Sequence, residues 1–569
     1  MTRRGYDPQP AFGLEPGRIG TGAEALAATL ARQRVVILDG YGGVLWEELR
    51  GALAAAFERS GVNVHWQPVA DALRPARQIE ELVAPFLGGN DPLFGTRFTG
   101  RLREFFDTSA LAALQPDPQA QVSIIYGSGA ALAKWAGFLA YVDVSKNVVQ
   151  YRSRSGEIGN LGSDEPAPPK EMYKRFYFVD WVALNRHKAE LTSRIDLLVD
   201  GRQTAEPSFV TGDDLRRALD GMGTSFVRAV PWFEPGPWGG QWLKRLIPEL
   251  PQDVPNYAWS FELITPENSI ALESGGQRLE VSFDFLMFHA GEALLGRHRE
   301  RFGDEFPIRF DYLDTVEGGN LSLQCHPGSE YIRRQFGESF TQDETYYIVD
   351  LAPSAQVYLG FREGIEPAEF RAALEESARS GQALDVGRFV RALPAEKHDL
   401  FLIPNRTIHC SGAGNMVLEI SATPYIFTFK LYDWQRLGLD GQPRPLNIER
   451  AFENLDFGRA GGRVDEELIA TPRVLEQGDG WRTVHLPTHA EHFYDVHRLE
   501  FARQVEATTR GGPHVLNLVE GGPILLRCGG REQRFHFAET FIVPAAAGSY
   551  RLLNEGAGQA KLVKAFLKE

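Results

Sequence analysis

Cysteine is nearly missing from this 569-residue chain. Cys325, Cys410 and Cys528 are the only three, and thiols so few and so widely spaced build no disulfide framework, which points to a reducing compartment. Long apolar runs are missing too. No stretch reaches the roughly 18 apolar residues of a spanning helix, and the opening segment Met1 to Phe12 carries Arg and Pro with no apolar run behind it. A cytoplasmic protein without a membrane partner is expected. Positive charge is in deficit, with 60 Lys and Arg against 75 Asp and Glu and a formal charge of −15. Nucleic-acid binding depends on clustered Lys and Arg that neutralise phosphates, so nucleic acid is not an expected partner. Apolar residues, by contrast, make up 43% of the chain and include 36 phenylalanines, enough for several cores.

The pattern along the chain changes near residue 228. Before it, the strand-like Arg34-Val-Val-Ile-Leu-Asp39 leads through Gly40-Tyr-Gly-Gly43 into an amphipathic stretch from Leu45 to Arg59. A second strand, glycine turn and helix is expected over Val122–Tyr126, Gly127–Gly129 and Ala130–Leu139. Such alternation predicts a doubly wound α/β domain over 1–228, with Ser155 to Lys170 as an exposed loop. From Pro231 the chain becomes short alternating segments separated by Gly, Pro and Asn, which predicts an all-β barrel or sandwich. The expected divisions are a barrel from 229–362 and 396–470, a helical insertion over 363–395 built on Phe370, Leu374, Phe389, Val390 and Leu393, and a second barrel over 471–569.

In Leu321-Ser-Leu-Gln-Cys-His326, alternation puts Ser322, Gln324 and His326 on one face and turns Cys325 to the other. Glu344 opens a segment downstream and His409 opens another, preceded by Pro404-Asn-Arg-Thr. Two imidazoles, a carboxylate and an amide oxygen suit zinc or another first-row divalent ion, and would leave it with a net charge of about +1. An ion so little neutralised suits polarising a carbonyl or holding an enediolate oxygen more than it suits a purely structural role.

The run Ser322-Leu-Gln-Cys-His-Pro327 resembles the metal motif Ser-x-Gln-x-His-Pro of type I mannose-6-phosphate isomerases, which are cupin, or jelly-roll, proteins. The resemblance extends over about 230–569, through Gly236-Pro-Trp-Gly-Gly240, Phe302-Gly-Asp-Glu-Phe-Pro307, Gly412–Ile420, Leu431-Tyr-Asp-Trp434 and Asp440-Gly-Gln-Pro-Arg444. It implies a Zn²⁺-dependent aldose–ketose isomerase that interconverts mannose 6-phosphate and fructose 6-phosphate through a cis-enediol. The implied ligands are Gln324, His326, Glu344 and His409, and the implied catalytic residues are Glu419 and Lys430. Three basic positions of the family are altered here, to Asp311, Gln342 and Lys430. Arg309, Arg362 and Arg406, with the Ser322 hydroxyl, are candidates to bind the substrate in their place. Isomerisation or epimerisation of another, unphosphorylated sugar, or sugar binding without turnover, are the alternatives.

The last barrel lacks a His-x-His pair, and no metal is expected there. The cluster of His485, His489, His492 and His497 mixes helix and loop offsets. In the first domain, Ile124–Ala130, Tyr141-Val-Asp143 with Arg152 and Arg154, and Ile195–Asp200 resemble uridine-kinase-like P-loop proteins. The lysine-bearing phosphate loop is absent, so the resemblance implies a degenerate kinase-like domain serving packing, regulation or assembly. A surviving nucleotide or sugar-phosphate site is the alternative.

Overall fold

The structure is a computed structural model and describes residues 5–569. Five parallel strands form the first sheet: β1 (Val35–Gly40), β2 (Val64–Pro68), β3 (Val122–Tyr126), β4 (Phe138–Asp143) and β5 (Leu197–Asp200), in the order β2-β3-β1-β4-β5. Ser208–Thr211 and Ile19–Thr21 extend it antiparallel beyond β5. From Val36 onward β1 is buried, as a strand covered on both faces must be. Helix Trp46–Arg59 follows, burying Leu49, Leu53, Ala56 and Phe57 at helical spacing.

The helix expected over Ala130–Leu139 does not form. Ala130–Ala133 makes one 3₁₀ turn, and β4 already begins at Phe138. Asp39 explains the difference: its carboxylate accepts from the amides of Gly40, Gly129 and Ala131, at 2.6, 2.9 and 2.8 Å, and from His187 at 2.8 Å. These are the amides a phosphate loop would turn towards its ligand, and Glu47 and Glu48 lie in the first turn of the next helix.

Two sheets form the central barrel. One has six strands, ordered Leu400–Ile403, β8 (Glu344–Leu351), β10 (Asn415–Ala422), β6 (Ile308–Asp314), Trp259–Leu263 and Trp232–Glu234. The other has five, ordered Val390–Pro394, Gln356–Phe361, β9 (His409–Ser411), β7 (Leu323–Cys325) and β11 (Phe429–Tyr432). The central β10 is buried along its whole length. The expected helical insertion is shorter than its residues suggest. Helix Pro367–Ser380 stops at Gly381, whose φ of 71° closes the last turn onto Ser377, and Val390–Pro394 pairs as a strand with Gln356–Phe361. Sheet pairing outweighs the near-helical spacing of Val390 and Leu393.

The last barrel again has two sheets, of six and four strands. The larger contains β12 (Tyr494–Phe501), β13 (His514–Glu520) and β14 (Ala560–Leu567), with β14 between the other two. Leu499, Leu516, Leu526, Leu552 and Leu562 fill a core of its own, while one apolar cluster is continuous through the α/β domain, the central barrel and one face of the last barrel, where Val496, Val515 and Val563 belong to it. That continuity includes charge. Lys188, fully buried, reaches Asp143 at 2.8 Å and donates to Ser282 on the barrel side at 2.7 Å. No helix among the described residues is long and apolar enough to cross a membrane.

Candidate metal centre

The short β7 pairs with β9 through Gln324 and His409, and with β11 through Gln324 and Lys430. His409, Gln324 and Lys430 therefore stand in one row across the sheet. Pro327 ends β7, because it has no amide to continue the ladder. Glu344 comes from the opposite sheet, as the first residue of β8. The loop before His409 is held from two sides: Asn405 donates to Asp343 through its backbone and side chain at 2.8 and 2.9 Å, and the Arg406 amide donates to the His326 carbonyl at 2.8 Å.

These elements bring His326, Glu344 and His409 together, all essentially buried. His326 Nε2 lies 3.0 Å from Glu344 Oε1, and His409 Nε2 lies 3.3 Å from Glu344 Oε2. Each imidazole uses its other nitrogen, Nδ1, towards a backbone carbonyl, Phe427 for His326 at 3.0 Å and Thr407 for His409 at 2.9 Å. Nδ1 is then the protonated nitrogen, and the Nε2 lone pairs face the carboxylate. Acceptor meets acceptor. His326 Nε2 and Glu344 Oε2 are buried without a hydrogen-bond partner among the described residues, an arrangement that costs about 1–3 kcal/mol per group unless a cation completes it. The donor set fits a first-row divalent ion. Gln324 lies beside the group, with its amide nitrogen 3.3 Å from His409 Nε2 and its oxygen accepting from Ser322 at 3.0 Å.

Around this centre the other expected residues separate. Glu419 and Asp311 are register partners on β10 and β6. Arg309 donates to Asp311 at 2.9 Å and also to Glu419, which accepts from Ser421 at 2.9 Å. Arg309 is thus held by two carboxylates. Burial pushes the Glu419 carboxyl well above its ordinary range; Arg309 opposes this, while Asp311 and Glu344 add to it. Burial likewise raises Asp311, to about 6, against the pull of Arg309. The Lys430 ammonium has no ion pair or hydrogen bond among the described residues, and burial, aided by Arg444 and opposed by Asp433, lowers it to about 8. Gln342 donates to Glu344. Arg406 is exposed, donates to the Asn454 carbonyl at 2.9 Å, and lines a groove with Gly328 and Glu453 instead of this centre. Arg362 is exposed as well.

Tyr346 was not foreseen. Its ring is 5.9 Å from that of His409, and its buried hydroxyl has no partner among the described residues. Its place, two residues beyond Glu344 on the same face of β8, was the available signal. Cys325 and Cys410 are buried, with burial raising both thiols. In the last barrel, His485, Asp495 and His497 also lie close together. There both ring nitrogens of His485 are engaged, by Arg473 at 3.1 Å and Asp495 at 2.8 Å, which leaves it no free lone pair for a metal.

Residues 22–224 match the family model described as Domain of unknown function (DUF8485). The chain is 24% identical over 317 residues to the mannose-6-phosphate isomerase of Streptococcus mutans, covering 55% of this chain and 90% of that protein. It is 25% identical over 250 residues to the probable mannose-6-phosphate isomerase GmuF of Bacillus subtilis, covering 44% and 73%. The solved mannose 6-phosphate isomerase of Bacillus subtilis aligns at 20% identity with a TM-score of 0.48, over 60% of this chain and 99% of that one.

Proposed function

From a chain related to the mannose-6-phosphate isomerases, we propose an enzyme of the same kind: a metal-dependent aldose–ketose isomerase interconverting mannose 6-phosphate and fructose 6-phosphate through a cis-enediol. The observation that carries this reading is the meeting of two imidazoles and a carboxylate in which His326 Nε2 and Glu344 Oε2 are buried without a hydrogen-bond partner among the described residues. Gln324, His326, Glu344 and His409 are the proposed ligands. A bound divalent ion, zinc on this donor set, would supply positive charge next to the sugar oxygens at C1 and C2.

The chain's own groups would do the rest. Proton transfer between C2 and C1 is assigned to Glu419 as the acid/base group, its carboxyl kept in one orientation by Arg309 and Ser421; a positioned acid/base group contributes about 10²–10⁴ in rate. Lys430, next to Gln324 and without a counter-ion, offers its ammonium to an anionic oxygen of the substrate. Ser322 donates to Gln324 and so orients that amide. Arg309 is better placed to position Glu419 than to bind a phosphate.

A second reading has its own support. With Arg309 held by two carboxylates and Arg406 outside the centre, the positive charge available to a 6-phosphate is small, which favours an unphosphorylated sugar. A coupled assay of zinc-loaded protein with mannose 6-phosphate, and separately with free mannose, decides between them. Turnover of the phosphate ester, abolished by His326→Ala, is expected. Turnover of mannose alone would transfer the reaction to the second reading, and no turnover of either sugar by metal-loaded protein would refute both.

A further inference from the structure

The inner faces of the two barrels can be superposed by register alone. In the central barrel, Tyr346 pairs with Glu419 and Glu419 with Asp311, while Glu344 begins its strand two residues before Tyr346. In the last barrel, Leu516 pairs with Lys564 and Lys564 with His497, while His514 begins its strand two residues before Leu516. The three carboxylates Glu344, Glu419 and Asp311 thus correspond to His514, Lys564 and His497. Where the central barrel offers acceptors for a cation, the same positions here offer a cation and two imidazoles.

These residues line a cavity of about 590 Å³. Lys564 is only 8% exposed, and its ammonium has no hydrogen bond or ion pair among the described residues; it lies 5.2 Å from the Phe566 ring. A buried ammonium left without a partner is costly unless a ligand completes it. His514 uses Nδ1 towards the Tyr550 hydroxyl at 2.8 Å, and the His497 ring makes no hydrogen bond among the described residues. Arg510 stands exposed at the rim. Of the acidic groups facing the cavity, Glu506 is held by Arg551, Glu569 is paired with Arg297 at 3.2 Å, and Glu476 is exposed at the mouth. Burial, with the charge of Lys564, keeps His497 neutral, at about 3, and ready to serve as a neutral donor.

We propose that the cavity of the last barrel is a binding site for a small organic phosphate, with Lys564 as its charged anchor, His497 and His514 as hydrogen-bonding partners and Arg510 at the entrance. The site is independent of the metal centre and of the reaction assigned to it. The volume exceeds that of the phosphate group and leaves room for the carbon skeleton it is attached to.

Titration calorimetry on the full chain with glycerol 3-phosphate tests this, at about 50 mM ionic strength so that screening stays weak. One equivalent should bind to the native protein and equally to His326→Ala, while Lys564→Met should weaken binding at least tenfold and Arg510→Ala several-fold. Lys564→Met should fold, since it replaces an unpaired buried charge with an apolar side chain; if it does not, Arg510→Ala and Lys564→Gln decide. Unchanged binding by these variants, loss of binding in His326→Ala instead, or acetate binding as tightly as the phosphate would each overturn the proposal.

Discussion

Replacing Lys188 by Met should destabilise the junction between the α/β domain and the central barrel more than any surface change could. Lys188 is fully buried; its ammonium lies 2.8 Å from Asp143, 2.7 Å from the Ser282 hydroxyl and 3.7 Å from Asp284, over the Tyr41 ring at 4.1 Å. Asp143 is equally buried, and its second oxygen accepts from the Ser282 amide at 2.6 Å. Removing the lysine strands that carboxylate, for which about 3–5 kcal/mol is the usual cost. At about 1.4 kcal/mol per tenfold, the unfolding equilibrium of this unit should rise by roughly two to four orders of magnitude. Neutralising both partners, as in Lys188→Met with Asp143→Asn, should recover most of the loss, because the Ser282 contact can persist and no charge is left alone. Urea unfolding followed by tryptophan fluorescence and circular dichroism measures both variants. A single variant within about 1 kcal/mol of the native protein, or a double variant no better than the single, would refute the reasoning.

Glu267 gives a pH dependence. Burial raises its carboxyl to about 7 from 4.5, against hydrogen bonds from Tyr173 and Gln150. The folded chain therefore holds a proton that the unfolded chain releases, so stability falls as pH rises through this window, and the cost is complete above it. Glu267→Gln should raise the melting temperature at pH 8, by the equivalent of about 3 kcal/mol, and leave it nearly unchanged at pH 4; equal effects at both would contradict the assignment. Gly240 closes the Gly236–Gly240 segment against Asp314, and a Cβ there would sit 2.1 Å from Asp314 Oδ1 and 2.6 Å from the Val316 carbonyl. That carboxylate also receives the Leu243 and Val316 amides at 2.9 and 3.0 Å. Gly240→Ala should cost about 1–3 kcal/mol in a denaturation experiment, and a neutral result would mean that the segment yields easily.

Much of the centre was legible because strand alternation is a strong local rule. The rule placed Ser322, Gln324 and His326 on one face and sent Cys325 to the other, and the motif around Pro327 supplied Glu344 and His409 from distant segments. Relations across the sheets were not legible. That Arg309 is held by both Asp311 and Glu419 follows from a pairing between β6 and β10, segments about a hundred residues apart, which no local pattern encodes. The same holds for Lys564. The histidines from 485 to 497 drew notice as a run, but only pairing between β12, β13 and β14 separates His497, which faces a cavity with Lys564 and His514, from His485, which is bound to Arg473 and Asp495. In the α/β domain the glycine-rich turn suggested a helix that Asp39 prevents by taking its amides, and a single carboxylate at a strand end carries no periodicity to announce this.

The proposed isomerase reaction needs a metal ion held by two imidazoles and a carboxylate from opposite sheets. Metal analysis by mass spectrometry on protein dialysed against zinc, with mannose 6-phosphate turnover measured on the same samples, tests it most directly. One zinc per chain is expected in the native protein, with metal and turnover lost together in His326→Ala and His409→Ala. Full turnover by metal-free protein, or a zinc content unchanged by both substitutions, would contradict it.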